Sequence, residues 1–300
     1  ALITLGVSIA VLSIPVYFAT EQGYFAVEGL DITIKEYDSG KLATKAMFDD
    51  EVNIATVADM PIVFNSFKRQ DFCIFTTFTA SYNFVRIVGR KDKGLKSVTD
   101  LKGKKIGMNR GTSSHFYLGS FLTDNELSTT DVETVDKNTQ DLPDVLQRGE
   151  VDAISVWQPY REQTIKALGD NAILFPSREI CRVTFSLAGK KNFVKEHQEV
   201  QKKLIRAFAK AAIFIRENRR ESQDIISKEF NLENEIINTL WDDYIFGTFL
   251  DQALLIGLDD IARWAINNQF TDKKEIPNFL DFICSDALDT VKPEMNSIIK

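Results

Sequence analysis

The sequence predicts an α/β protein of two lobes, each a mixed, mostly parallel sheet flanked by helices. Two observations carry that expectation. Short segments of alternating or continuous apolar character are interleaved with amphipathic helical stretches, the β-α-β rhythm of parallel strands joined by helical crossovers. The rhythm then begins again roughly one hundred residues later with matching local sequence. Glu51-Val52-Asn53-Ile54 is echoed by Glu150-Val151-Asp152-Ala153, Glu28-Gly29-Leu30 by Asn125-Glu126-Leu127, and Gly6 by Gly107. Each of the first pair leads to a short strand and a proline-bearing helix start, Ala58-Asp59-Met60-Pro61 or Val156-Trp157-Gln158-Pro159.

Taken in order, residues 2–10 form the first strand. Ser13 is a competent N-cap, Pro15 suits the first helical turn, and Gly23 suits the helix end. After a turn at Gly29, residues 31–37 alternate as a second strand, and Leu42, Ala43, Ala46 and Met47 mark a second helix. Residues 52–57 are a third strand, followed by a helix to about Lys68 and a further apolar strand at 72–78. The second copy places strands at 104–108, 132–136 and 151–156, with helices at 113–125, at 142–148 and from Pro159 onward. Two extended segments, 84–89 and 183–189, each end in glycine and read as strands crossing between lobes, a two-stranded hinge. The remainder reads as helical, with no strand of its own. Val200, Leu204, Phe208, Ala211 and Ile215 line one face of a long helix, and helices near 222–230 and 233–245 follow. Leu254, Leu258, Ile261 and Ala265 line another, opened by Asp251 as its cap. This block is expected to pack on the first lobe, so that lobe 1 is 1–88 plus 184–300 and lobe 2 is 89–183.

Composition narrows the functional classes. Apolar residues make up 44% and charged residues 26%, an ordinary globular balance with material for a real core. The net charge of −7, from 36 basic and 43 acidic residues, argues against a nucleic-acid surface. His115, His197 and the three cysteines at 73, 181 and 284 give no metal-ligand spacing and no disulfide framework, and Cys73, in an apolar run, reads as a buried thiol. His197 and the basic residues Arg216, Arg219 and Arg220 read as a solvated helix surface. The apolar start, residues 2–19, lacks a basic leader and is interrupted by Gly6, Ser8, Ser13 and Pro15, so it reads as folded structure from which a signal peptide has been removed. No stretch is long and apolar enough to span a bilayer. No nucleophile elbow, phosphate loop or dinucleotide fingerprint is present, so no catalytic residue and no cofactor is expected.

The chemistry concentrates where parallel strands end. In open parallel sheets, ligands bind beyond the carboxyl ends of the strands, at helix N-termini whose unpaired N–H groups and dipole suit anions. The first lobe offers Ser13 and Pro15, then Ala58 and Asp59. The second offers Gly111, Thr112, Ser113, Ser114 and His115, then Trp157, Gln158 and Tyr160, while Tyr82 and Asn83 precede a crossing segment. These loops are expected to line one cleft that closes on a small ligand. Gly111 permits a positive-φ turn. Thr112, Ser113 and Ser114 are competent N-caps and also suitable donors to a sulfonate, carboxylate or phosphate-like group. His115 reads either as a cleft-facing residue or, the favoured reading, as a hydrogen-bonded structural residue of the first turn. Asp59 reads either as a partner for a ligand amine or as an acid satisfying the helix dipole. Trp157 and Tyr160 read as cleft walls or as core.

The motifs also resemble a known family. Leu12-Ser13-Ile14-Pro15-Val16-Tyr17-Phe18-Ala19, Gln22-Gly23-Tyr24-Phe25 and Glu28-Gly29-Leu30-Asp31-Ile32 resemble the opening of the nitrate, sulfonate and taurine periplasmic binding proteins. These sit within the thiamine-pyrimidine-synthase-like solute-binding proteins of ABC importers. Ser97-Val98-Thr99-Asp100-Leu101-Lys102-Gly103, Gly111-Thr112-Ser113-Ser114-His115-Phe116 and Val156-Trp157-Gln158-Pro159-Tyr160 resemble the same family, so the likeness covers nearly all of the chain. It implies a type II periplasmic binding protein clamshell that takes a small organic or anionic solute, whether sulfonate, taurine-like, carboxylate or pyrimidine-like. It implies a monomer, in the periplasm or tethered at the cell surface, that hands the solute to an ABC permease and does no chemistry. Two departures stand out: Asp59 puts an acid where an anion-only site would want none, and Gln158 stands where relatives often carry Glu. Two rival roles share the fold. One is the ligand-sensing part of a membrane kinase, cyclase or chemoreceptor. The other is a pyrimidine-biosynthesis enzyme, whose cysteine cluster this chain lacks.

Overall fold

Each copy of the repeated sequence folds into three parallel strands in the same spatial order, and the echoed residues show why. The computed structural model describes residues 2–176 and 179–299. In the first copy, β1 (Leu2–Ser8) lies between β2 (Asp31–Tyr37) and β3 (Ile54–Ala58). Helices α1 (Ile14–Glu21) and α2 (Tyr24–Val27) join β1 to β2, and α3 (Gly40–Phe48) joins β2 to β3. Helix α4 (Asp59–Ser66) then leads to β4 (Phe72–Ser81). After β5 (Val85–Arg90), the second copy sets β6 (Lys105–Met108) between β7 (Glu133–Asp136) and β8 (Ala153–Trp157), with α5 (Ser113–Asp124) and α6 (Leu142–Gln147) as crossovers. Helix α7 (Tyr160–Leu168) and the short strand β9 (Ala172–Leu174) complete it.

The echoed Asn53 and Asp152 do the same work in each copy. Thr4 donates its N–H to Asn53 Oδ1 at 2.8 Å, and Asn53 returns its own N–H to the Thr4 carbonyl at 2.9 Å. Lys105 donates to Asp152 Oδ2 at 2.8 Å, and Asp152 returns its N–H to the Lys105 carbonyl, also at 2.8 Å. Each clasp fixes where the third strand starts against the central one. The echoed glycines make room for the neighbouring valine. A Cβ on Gly6 would lie 3.0 Å from Val52, and one on Gly107 would lie 3.6 Å from Val151 and 3.0 Å from Leu142.

The rest of the chain is β10 (Val183–Lys190), α8 (Lys191–Glu196), α9 (Gln198–Glu217), α10 (Arg219–Phe230), α11 (Asn234–Leu240), β11 (Tyr244–Phe249), α12 (Gln252–Asn267) and α13 (Asp286–Val291). The first sheet has the order β11-β4-β10-β3-β1-β2, with β10 antiparallel to both neighbours and β11 antiparallel to β4. The second has the order β7-β6-β8-β5-β9, with β5 antiparallel to β8 and β9. The predicted stripe on α9 is buried at all five positions, and Phe208 meets Phe78 of β4 at 5.0 Å and Phe25 at 5.9 Å. The stripe on α12 is likewise buried, and Asp251 caps that helix by accepting from Leu254 N–H at 2.9 Å. Leu142, Leu146, Val151 and Ile154 centre the apolar cluster of the second sheet.

The chain divides into two compact units, one of Ala1–Ser81, Val183–Ile225 and Tyr244–Lys300, the other of Tyr82–Arg182 and Ile226–Asp243. Four features differ from the sequence expectation. First, the C-terminal block contributes a strand, β11, where a helix was expected to run to 245. Its aromatic, Gly247-bearing sequence is poor helix material and finds a free edge on β4. Second, Ile226–Asp243 groups with the second unit rather than the first. Lys166 Nζ contacts Glu233 at 2.8 Å, and Asn83 Nδ2 donates to Asp243 at 3.1 Å. Third, the chain passes between the units at four places instead of two. Three of them meet on one rung of the first sheet, where Ser81 pairs with Val183 on one side and Tyr244 on the other. Fourth, Cys73 is no free thiol. It forms a disulfide with Cys284, 211 residues away, at a Cα separation of 5.9 Å. A bridge between Ile74 and Ile283, with Cys284 N–H donating to the Ile74 carbonyl at 2.9 Å, brings the cysteines together. Spacing along the chain carries no trace of that pairing.

Glu28 ties the turn before β2 to α9, accepting from Arg206 Nε and Lys210 Nζ, each at 2.7 Å. Burial raises the affinity of this carboxyl for a proton, but the hydrogen bonds from Lys210 and Arg206, with their charges, outweigh it and hold the pKa below the ordinary 4.5. Its contribution to stability is therefore complete above the unfolded pKa and disappears as pH falls through the lower folded value. Thermal melts of Glu28→Gln should lose stability relative to the natural chain near neutrality and converge with it in acid. Replacing both Cys73 and Cys284 by Ala should cost about 2–5 kcal/mol, given the long loop the bridge closes. Urea unfolding with the bridge intact and removed measures that difference.

Candidate ligand-binding sites

The strand orders β2-β1-β3 and β7-β6-β8 send successive crossovers to opposite faces of each sheet. The carboxyl ends of β1 and β3, and of β6 and β8, therefore flank a topological switch point, where open α/β sheets take ligands.

In the second unit, α5 begins at that point. Gly111 sits at φ +76°, a conformation that disfavours any side chain, and its N–H donates to His115 Nδ1 at 3.3 Å, which leaves the ring proton on Nε2. His115 is buried in the first turn. Thr112, Ser113 and Ser114 share one short turn but play separate parts, and Thr112, the residue at the N-cap, makes no side-chain cap. Thr112 Oγ1 donates to the Asn109 carbonyl at 2.7 Å. Ser114 Oγ donates to the Ser155 carbonyl at 2.6 Å, and Ser155 Oγ donates back to the Ser114 carbonyl at 2.8 Å. That reciprocal pair stitches the start of α5 to β8. Ser113 is buried, and its hydroxyl has no hydrogen-bond partner among the described residues.

At the end of β8, the Trp157 ring stacks on Phe84 with centroids 5.9 Å apart, and its buried Nε1 has no partner among the described residues. Gln158 donates Nε2 to Glu162 Oε1 at 3.1 Å, which orients the amide and leaves its buried Oε1 without a donor. The Gln158-Pro159 peptide bond is cis. Tyr160 packs against the apolar cluster of this unit. Beside it, the buried Arg161 gives Nη2 to Glu162 at 2.7 Å and Nη1 to the Asn83 carbonyl at 2.8 Å. Asn83 is thus a structural node: Oδ1 accepts from Arg86 at 3.1 Å, and Nδ2 serves Asp243. Burial, and then repulsion from Arg161, lowers the Arg86 pKa, an unfavourable setting that the carbonyl of Phe175 relieves by accepting from Nη2 at 2.6 Å. Tyr82, 42% exposed, lies outside this network of bonds.

In the first unit, Ser13 Oγ donates to the Ser8 carbonyl at 2.7 Å, and Pro15 is buried in the first turn of α1. Ala58 ends β3 and stands at the N-cap of α4. Asp59 accepts from the N–H of Thr184 at 2.8 Å and from the Thr184 hydroxyl, so its carboxylate holds the start of β10. Neither sequence reading of Asp59 anticipated this, because Thr184 is distant in the chain. Sequence reasoning also passed over Ser8 and Ser39, which are each 1% exposed and carry hydroxyls with no partner among the described residues. The signal was present at Ser39, a cap-type residue followed by glycine, but an ordinary cap would have been engaged. Among the described residues, no group of His, Cys, Asp or Glu side chains is placed to hold a metal ion, and no helix is long and apolar enough to cross a membrane.

Comparison with known proteins agrees with this architecture. The profile of the family described as NMT1/THI5 like matches residues 12–222. A putative aliphatic sulfonates-binding protein of Bacillus subtilis (strain 168) is 24% identical over 266 residues, 87% of this chain and 80% of that protein. The alkanesulfonate-binding protein SsuA of Xanthomonas axonopodis pv. citri, solved bound to MOPS, superposes with a TM-score of 0.83 at 16% identity, covering 95% of this chain and 98% of that one. A Candida albicans gene product with the generic periplasmic binding protein fold superposes at 0.79 with 15% identity, over 100% of this chain and 98% of its own. With two mixed sheets flanked by helices and a family profile matched across most of its length, the chain has the periplasmic binding protein fold and belongs to the NMT1/THI5-like family.

Proposed function

We propose that this protein binds a small organic solute bearing an oxyanion group, of the alkanesulfonate, taurine-like or carboxylate kind, and delivers it to an ABC importer without catalysing any reaction on it. The observation that carries the reading is the set of polar atoms left unpaired at the ends of the strands. Trp157 Nε1 and Gln158 Oε1 are buried without a partner among the described residues, and with Ser113 Oγ they provide two donors and an acceptor in the second unit, at the edge where this fold takes ligands. Unpaired buried polar atoms lower stability, so their retention at a switch point is expected of a binding site. The sulfonate-binding relatives support the class of solute. The long-range disulfide supports an extracytoplasmic, oxidising location, free in the periplasm or tethered at the cell surface. A membrane permease is the matching partner.

Titration calorimetry against ethanesulfonate, taurine, nitrate, acetate and a pyrimidine tests the reading. At least one sulfonate or carboxylate should bind with heat of saturable form, and a flat response across the panel would sink the proposal. Ser113→Ala should weaken the bound solute several-fold, up to about tenfold, the loss of one hydrogen bond, while leaving the thermal midpoint unchanged.

A further inference from the structure

We propose that the first unit holds the oxyanion at the switch point between β1 and β3, in a cradle of uncharged donors made by the Ser8 and Ser39 hydroxyls and the N–H of Gly40. The inference rests on the solute-binding reading and narrows it to a place and a donor chemistry.

Three observations converge there. The hydroxyls of Ser8 and Ser39 are buried and have no partner among the described residues, and they come from different elements, the last residue of β1 and the residue before α3. Second, α3 is a nine-residue helix whose N-terminus is built but not closed. Ser39 is extended at φ −153°, and its carbonyl accepts from Leu42 and Ala43, each at 3.0 Å, as an N-cap residue should. Its side chain nevertheless makes no cap bond, and the Gly40 N–H has no partner among the described residues. The start of α3 therefore keeps an unengaged N–H and an unengaged hydroxyl at the positive end of the helix dipole. Third, both parts close on Thr56 of β3. Ser8 donates its N–H to Thr56 Oγ1 at 2.9 Å, while a Cβ on Gly40 would lie 3.3 Å from Ala58 N and 3.5 Å from the Thr56 carbonyl. The glycine lets the start of α3 come down onto the end of the strand.

The second unit supplies the contrast. It has the same strand order and the same switch point, but there Ser114 and Ser155 satisfy each other's carbonyls between α5 and β8. The Ser114 and Ser155 hydroxyls of the second unit are engaged, whereas those of Ser8 and Ser39 in the first are not. The donors offered at the first are two hydroxyls and a backbone N–H at a helix N-terminus, which suits an oxyanion of single charge, such as a sulfonate or nitrate.

The test is calorimetric titration of the full chain with methanesulfonate, nitrate and acetate, in parallel with Ser8→Ala, Ser39→Ala and Ser39→Thr. The oxyanion that binds the natural chain should bind each Ala variant about tenfold or more weakly, and Ser39→Thr, which keeps the hydroxyl, near normally. Both Ala variants should melt at or above the natural temperature, because each deletes a buried group that has no partner in the fold. Marked destabilisation of either would assign its hydroxyl a structural role and overturn the proposal. Unchanged binding in both Ala variants, with weakened binding in Ser113→Ala, would overturn the cradle and leave the solute-binding reading intact. A natural chain that binds a pyrimidine or another uncharged solute but none of these oxyanions would do the same. A chain that binds no solute at all removes both.

Discussion

The clasp between a strand-start Asn or Asp and the backbone of the central strand is the constraint on which the rest depends. In each unit it sets the register of the third parallel strand against the first. Parallel strands in fixed register end together, and the helices that follow them must then start at one edge of the sheet. Most of the candidate ligand-binding residues lie at those edges. Ser8, Ser39 and Ala58 lie on one of them, and Ser113, Ser114, Trp157 and Gln158 on the other.

Much of the fold was legible because it is written in local periodicity. The three-strand repeats, the stripes on α9 and α12 and the cap at Asp251 follow from residues a few positions apart. The missed features depend on partners far along the chain. Strand β11 exists because β4 offers an edge, the Cys73–Cys284 bridge because β4 runs beside the C-terminal segment, and the duty of Asp59 because β10 delivers Thr184. No window of sequence contains both members of any of these pairs. The same limit applied to the site. The run of three hydroxyl residues was visible, but which hydroxyls were already used was not. Thr112 and Ser114 turned out to be engaged by backbone carbonyls, and Asn83 by a network of two arginines and an aspartate.

The two units therefore show how one topology can be finished in two ways. Where Ser114 and Ser155 bond reciprocally, a crossover is fastened to the sheet and the local structure gains stability. Where Ser8 and Ser39 stay open, that stability is forgone in favour of donors held in place before a ligand arrives. A fold built by repetition is free to specialise its copies in this manner, since the clasps that fix the strands do not involve the hydroxyls at their ends.

The disulfide has a topological side as well. Its two cysteines bracket residues 74–283, and the whole of the second unit, with all four passages between the units, lies inside that covalent ring. A protease that cuts once within the ring opens a loop but releases no fragment: both pieces stay joined through sulfur until the bridge is reduced. For a chain that crosses between its units so many times, the bridge makes a single nick a survivable event.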